Sequence, residues 1–366
     1  MKKLAFIPFM LLAFSTTKDF SQPLQNNIAL AHNIIFDSII QYENEIHTAS
    51  YFIKELINKK ISAKVILGYT SQHRALEAYY FPGTSDKKAL VIGGMHGSEL
   101  PSIEIAKKLI GFLTQGKMPL YNVIVIPALF ADNVAKALNA EKSFTNFGRY
   151  TNMESADPNR QMPSLGKGFN LNDPVDMYGR RIERENQLLL QLIQDYQPER
   201  IVNLHAIKDT GRCGIYADPR TDCHGYALGF EKDSSLAVSM ATFIEKNSGN
   251  VTGNNLQKNA TALYYNDPEI AGAGSLQKRN LHGSFLPGNR GFGVSLGGWA
   301  TTAVCDGAGR RDASILITVE FPGYKPSAGY KRKEKEHCLH NIELYALAIL
   351  NIFLGDNHTE VSPNFV

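Results

Sequence analysis

Beyond its first residues the chain has short stretches that are apolar or nearly so, among them residues 89–94 (ALVIGG), 121–127 (YNVIVIP), 201–204 (IVNL) and 315–319 (ILITV). A strand with one face in water alternates apolar and polar side chains. Runs like these belong to strands covered on both faces. Helical spacing fills the intervals. Residues 101–112 place Ile103, Ile105, Ala106, Leu109 and Ile110 on one side behind Pro101, and residues 182–196 do the same with Leu189, Leu192, Ile193 and Tyr196. Strands alternating with helices predict an α/β fold. A meander of short strands is expected, with 62–67 and 76–81 as two of them, together with an N-terminal helix over 28–58 and a C-terminal helix over 334–354 that is apolar nearly all round. Residues 128–180, rich in Asn, Gly, Asp and Pro, read as one long irregular stretch. Inside a compact domain a loop of that length is usually functional.

Three of the buried runs end on a reactive side chain. His96 and Glu99 follow the first, His205 closes the third, and Glu320 closes the fourth. An open α/β sheet presents its site at one edge, so the topology can bring these four together. Two imidazoles and a carboxylate suit a catalytic zinc ion, which takes three protein ligands and keeps one position open. A second His-x-x-Glu, His340 to Glu343, lies inside the apolar C-terminal helix with no strand end near it and reads as structural. Glu320 is the candidate base for a water attacking a carbonyl; a surface salt bridge is its other reading. The stretch at 148–163 (GRYTNMESADPNRQMP) adds an amide and a planar fork, Asn159 and Arg160, that can hold a terminal carboxylate. Arg149, eleven residues earlier, could face a developing oxyanion.

The ends and the composition narrow the setting. Residues 1–3 are a short basic start, residues 4–14 an apolar run too short to span a bilayer, and a polar stretch follows. This pattern predicts a signal peptide over 1–21, with cleavage near Ser21 and Gln22, then a helical segment over 22–60, a catalytic domain over 61–356 and a tail over 357–366. An exported, periplasmic or secreted protein without a stable membrane anchor is expected. Net charge is +3 with no long basic run, which offers no footprint for nucleic acid. Four cysteines, Cys213, Cys223, Cys305 and Cys338, are compatible with disulfides after export. Cys213 and Cys223 could close a short loop, and four separate thiols is the equal alternative. Oligomeric state is not encoded.

Taken in order, His96/Glu99, Arg149, Asp157-Pro158-Asn159-Arg160, His205 and Glu320 resemble the motifs of the zinc carboxypeptidase family. The match runs from about residue 62 to 354. The resemblance implies a three-layer α/β/α domain with a twisted mixed sheet of about eight strands and the site at the C-terminal edge of the strands. It also implies one Zn²⁺ held by His96, Glu99 and His205, a general base in Glu320, an oxyanion donor in Arg149 and a carboxylate clamp in Asn159 and Arg160. The activity implied is removal of a peptide's C-terminal residue. Peptides are the expected substrates, and cell-wall stem peptides are the specific form that export suggests. The family's side-chain selector lies about fifteen residues before the late Glu, where Asp306 would favour an amine-bearing residue and Arg310 or Arg311 an acidic one. The chain departs from the family in two ways. Thr301 stands two places after Trp299, where a Tyr that closes over substrate is usual, leaving Tyr264 or Tyr265 as substitutes, and the Arg149–Arg160 segment is about one residue longer. An aspartoacylase- or succinylglutamate desuccinylase-like amidohydrolase shares the His-x-x-Glu, Asn-Arg and third His, although such enzymes are usually not exported. A non-catalytic binding protein on the same scaffold is the third reading.

Overall fold

The computed structural model describes residues 53–139, 147–152, 155–256, 292–307 and 309–355. The expected signal peptide, most of the expected N-terminal helix, Tyr264 and Tyr265, and the tail lie outside the described residues. Seven strands form one sheet: β1 (Ala63–Tyr69), β2 (Ala75–Phe81), β3 (Lys88–Ile92), β4 (Asn122–Ile126), β5 (Arg200–Ile207), β6 (Gly214–Ala217) and β7 (Ile315–Pro322), in the order β1-β2-β4-β3-β5-β7-β6. The four central strands are mutually parallel, β4 to β3 to β5 to β7, and the outer pairs are antiparallel. This is the mixed sheet expected, with seven strands among the described residues instead of about eight.

The continuous apolar runs are explained by two separate cores. Ala89, Val91, Val123, Val125, Val202, Leu204, Ile317 and Val319 point to one face and pack under helices α1 (Leu100–Thr114), α4 (Phe230–Lys246) and α6 (Arg332–Ala348). Their neighbours Leu90, Ile92, Ile124, Ile126, Ile201 and Leu316 point to the other face, against α3 (Arg184–Tyr196) and the short α5 (Leu296–Ala300) with Trp299. Alternate residues of one strand thus feed opposite cores, which makes the domain three-layered. Each such buried side chain stabilises the fold by roughly 1.5–3 kcal/mol.

The stretch 128–180 is not irregular throughout. It contains α2 (Ala131–Asn139). The residues it buries are polar, Asp132 and Asn133, so an apolar face does not mark the side that packs. Asp132 accepts from the Thr70 hydroxyl (2.8 Å), the Arg74 guanidinium (2.8 Å), the Ser71 hydroxyl (3.3 Å) and the Gln72 amide (3.1 Å), all from the β1–β2 turn. The C-terminal helix is also less apolar than expected. Residues 331–337 (KRKEKEH) are exposed, and burial begins in earnest at Asn341. Cys223 pairs with Cys305, with Cα atoms 5.9 Å apart, while Cys213 and Cys338 are buried thiols. Cys213 and Cys223 therefore do not close a loop. The true partner is 82 residues away, brought close where the chain at Thr221 bridges Thr302.

One charged group is buried at a cost. Glu185, in the first turn of α3, is 3% exposed. Burial pushes its carboxyl up to about 7; its own backbone N–H opposes this, and Glu183 and Asp132 reinforce it. The folded pKa lies above the ordinary 4.5, so the folded state holds the proton more tightly. Stability from this group is full below about pH 4.5 and is lost as pH rises through about 7. Glu185→Gln should match the wild type at pH 5 and exceed it by about 1–3 kcal/mol at pH 8. Urea midpoints at the two pH values check this, and an unchanged difference between them would mean the carboxylate is compensated.

Candidate metal centre and its cleft

The site begins where β3 stops. Gly94 adopts φ +68°, which an L side chain resists, and turns the chain out of the sheet. A Cβ on Gly97 would stand 2.3 Å from the Asn133 carbonyl carbon, so only glycine lets this turn pass beside α2. Between them His96 is 4% exposed. Glu99 stands at the N-cap of α1, yet its carboxylate makes no cap bond. It turns inward instead. Oε1 lies 2.8 Å from His96 Nδ1, and Oε2 lies 2.9 Å from His205 Nδ1 and accepts from the Ala206 amide at 3.1 Å. His205 projects from β5. Its register partner on β7 is Glu320, so parallel pairing alone sets those two side by side.

The two Nδ1 atoms face each other at 3.2 Å. At most one proton fits between two such nitrogens, and a carboxylate adjoins both. Three ligand atoms thus converge on one point, within 4.8 Å of one another, which is the donor set of a metal cation. The fit extends outward. Asp157 Oδ1 lies 2.8 Å from His96 Nε2 and so orients the ring, as a carboxylate behind a ligating histidine does. The same Oδ1 accepts from the Asn159 amide at 2.8 Å and caps the short turn Pro158–Arg160. A second grouping of ligand-type side chains, Cys223, His224 and Cys305, has both sulfurs committed to the disulfide.

The electrostatics follow from this crowding. Burial opposes charge on His96, but the adjoining Glu99 and Asp157 carboxylates outweigh it and raise its pKa to about 9. Burial likewise opposes charge on Glu99 and Asp157. The histidines beside Glu99, and His96 with Arg160 and Arg149 beside Asp157, overcome that and hold both well below the usual carboxylate range. Arg149 is 2.7 Å from Glu99 Oε1 and 3.3 Å from Asp157 Oδ2, and these anions keep it firmly protonated against its own burial. Glu320 behaves differently. Burial drives its carboxyl up to about 7, with His205 pulling down and Glu99 pushing up.

Seven of the eight residues singled out from sequence line one cleft with a cavity volume of about 210 Å³: His96, Glu99, Arg149, Asn159, Arg160, His205 and Glu320. Asn159 is fixed by accepting from the Leu296 amide at 2.9 Å, and its own amide nitrogen is 3.5 Å from His205 Nε2. Arg160 donates to the Asn159 carbonyl at 2.6 Å, and its buried Nε has no hydrogen-bond partner among the described residues. Asp306 is the exception. It is exposed in the segment between α5 and β7 and does not line the cleft. Arg311 does not line the cleft either: its guanidinium is buried 4.0 Å from the Trp299 ring centroid and donates to the Ala300 carbonyl. The Val304–Arg311 pairing and the Arg311 bond to the Ala300 carbonyl fix the ends of the turn that carries Asp306. Thr301 is fully buried and donates to the Gly297 carbonyl, a structural role. His340 is exposed, with Nε2 3.2 Å from the Asn247 carbonyl, and takes no part in the cleft.

Among the cleft residues that carried no assigned role from sequence are Asp157, Asp218 and Tyr324. Asp157 had a signal in its place two residues before Asn159. Tyr324 follows Glu320 by four, beyond Gly323 at φ +88°; burial, then Glu99, push its hydroxyl up to about 12. Asp218 had none, because only the pairing of β6 with β7 brings it in.

No protein-family model and no curated protein sequence matches the chain. Among solved structures it is similar to carboxypeptidase A from Helicoverpa armigera (13% identity, TM-score 0.45, 89% of this chain and 79% of that one). It is also similar to bovine thrombin-activatable fibrinolysis inhibitor in complex with tick carboxypeptidase inhibitor (13%, 0.46, 84% and 94%). A third is murein-tripeptide amidase MpaA from Escherichia coli O157 (17%, 0.41, 78% and 91%). At these values the likeness concerns the outline of the fold, and the roles of individual side chains rest on the cleft's own geometry.

Proposed function

We propose that this protein is an exported zinc-dependent exopeptidase that removes the C-terminal residue of peptides, cell-wall stem peptides among them. The observation that carries the reading is the meeting, in one cleft, of a two-histidine, one-carboxylate donor set, a protonation-poised carboxyl and an arginine with an unsatisfied buried N–H. Zinc suits the donors. Two ligand nitrogens each about 2.1 Å from a tetrahedral centre lie about 3.4 Å apart, close to the 3.2 Å between His96 Nδ1 and His205 Nδ1. Bound zinc supplies Lewis acidity at the attacked carbonyl and acidifies water.

The chain's own residues do the rest. Glu320, with a carboxyl tuned near neutrality, accepts the attacking water's proton and returns it to the leaving nitrogen. Arg160, steadied by Asn159, receives the substrate's terminal carboxylate and so chooses which bond lies beside Glu320. Arg149 holds Glu99 and Asp157 in place and presents its remaining donors toward the oxyanion.

The test is product analysis. Zinc-loaded protein should shorten an N-blocked peptide by one C-terminal residue at a time, read by mass spectrometry. Chelation, or His96→Ala with its zinc lost by elemental analysis, should stop it. Release of the N-acyl group instead would install the amidohydrolase reading, and internal fragments would remove the exopeptidase one.

A further inference from the structure

One cluster of ligand-type side chains lies outside the cleft. Cys223, His224 and Cys305 each bring a ligand atom within 4.8 Å of the other two. His224 and Cys305 are exposed and Cys223 is half-buried, so solvent reaches the group. The two sulfurs are joined as a disulfide, and the His224 ring makes no hydrogen bond with the described residues.

The backbone around these residues is fixed by contacts that do not involve sulfur. Thr221 donates its amide to the Thr301 carbonyl at 2.9 Å, and Ala303 donates its own to the Thr221 carbonyl at 3.0 Å. Together they form the Thr221–Thr302 bridge just ahead of both cysteines. Val304, immediately before Cys305, exchanges backbone bonds with Arg311 at 2.9 and 3.0 Å. On the other segment Asp222 Oδ1 accepts from the His224 amide at 2.9 Å and from the Tyr226 amide at 2.8 Å, which turns the chain and holds His224 beside Cys223. Breaking the S–S bond therefore leaves two thiols and an imidazole facing one another on a scaffold that has other reasons to stay in place.

We propose that reduction of the Cys223–Cys305 disulfide by a dithiol converts this cluster into a second metal site, which takes a thiophilic divalent cation of the zinc type through Cys223, Cys305 and His224. The reduction breaks one S–S bond and forms two S–H bonds. The dithiol gives up two electrons and two protons and becomes a disulfide itself. Metal binding then releases both thiol protons to solvent, because the thiolate is the ligand. Two thiolates and a neutral imidazole are a soft donor set that suits zinc, with solvent left in the fourth position. A tetrahedral zinc with bonds of about 2.3 Å to sulfur holds two sulfurs about 3.8 Å apart. Rotation of the two side chains reaches that separation while the Cα atoms stay 5.9 Å apart. Cys213 and Cys338 do not compete: both are buried, and burial raises both thiols above the usual range, Cys338 to about 11. The bound cation would also keep a join that the disulfide makes, between the chain leaving β6 and the chain leaving α5. Asp218 on the first and Gly297 on the second line the cleft. The inference does not depend on the exopeptidase reading, since none of its three ligands lines the cleft.

Cobalt(II) is the probe, because cobalt held by thiolate shows a strong near-ultraviolet charge-transfer band that the sulfur-free set of His96, Glu99 and His205 does not give. The full chain is reduced with a dithiol, freed of it by gel filtration under nitrogen, and titrated with cobalt beside the oxidised protein. Reduced wild type should take up a further equivalent and show the band, and the oxidised protein should not show it. Cys223→Ser and Cys305→Ser should each abolish the band. His224→Ala should keep it with affinity lowered by about tenfold or more, since even an orienting partner behind a ligand is worth that. Reduced wild type, which also lacks the S–S bond, is the folding control for the serine variants, with far-ultraviolet circular dichroism as the check. Absence of the band in reduced wild type overturns the proposal whether or not the reduced chain stays folded, because the backbone contacts are what must hold the pair. A band that survives in Cys305→Ser would belong to Cys213 or Cys338 and overturns it too, as does an unchanged affinity in His224→Ala. Cobalt uptake by the oxidised protein reports on the cleft's own donor set, so the two sites fail or stand separately.

Discussion

Glu320→Gln should bind zinc and substrate as the wild type does while kcat falls by about a hundredfold or more. The substitution keeps the shape of the side chain and removes its ability to accept a proton. The geometry sharpens the expectation, because Glu320 has little to do for the fold. It is half-buried, desolvation in the cleft raises its carboxyl to about 7, and Glu99 nearby raises it further against the pull of His205. A carboxylate in such a place costs stability once ionised. The metal-free glutamine variant should accordingly be at least as stable as the wild type at pH 8, which a structural salt bridge would not allow. A thermal melt, a zinc determination and a kcat measurement on one preparation decide the matter. Normal turnover would put the base elsewhere, and a large drop in melting temperature would return Glu320 to the structural reading.

The second large effect belongs to Arg160. Its Nε is buried without a hydrogen-bond partner among the described residues, a cost that a bound carboxylate would relieve. Arg160→Ala should lower kcat/KM for peptides with a free C-terminus by about 2–5 kcal/mol, the usual loss when one partner of a buried charge pair is removed. A peptide amidated at its C-terminus should be a poor substrate of the wild type already, and the substitution should cost it little more. The comparison is two enzymes against two end groups. Equal losses on both would mean that Arg160 supports the loop through its side-chain hydrogen bond to the Asn159 carbonyl, and the exopeptidase reading would fall while the metal site stood.

Much of the site was legible because its residues sit at the ends of apolar runs. A run such as 315–319 announces a strand buried on both faces, and the polar residue that ends it must lie at a sheet edge. That logic reached His96, Glu99, His205 and Glu320 without any knowledge of strand order. It failed wherever a residue's place depends on a partner distant in sequence. Cys223 meets Cys305 across 82 residues, and no spacing rule distinguishes that pair from Cys213 with Cys223. Helix α2 is held where Asp132 meets the β1–β2 turn about sixty residues away, a contact that its own sequence does not show.

The acidic residue of the cleft shows the division most clearly. Sequence alone determined that a strand end would carry a histidine–glutamate pair, that another histidine and a late glutamate would stand at strand ends too, and that an Asn-Arg pair lay in a long loop. Local periodicity and residue chemistry suffice for that, since each statement concerns neighbours along the chain. Only the tertiary structure decided that Asp218, and not Asp306, faces the cleft. Asp218 is delivered by antiparallel pairing of β6 on β7 and by the space over Gly297, whereas Asp306 is carried to the surface by the turn between Val304 and Arg311. Register and clearance are relations between segments a hundred residues apart, and the one-dimensional pattern of either segment contains neither.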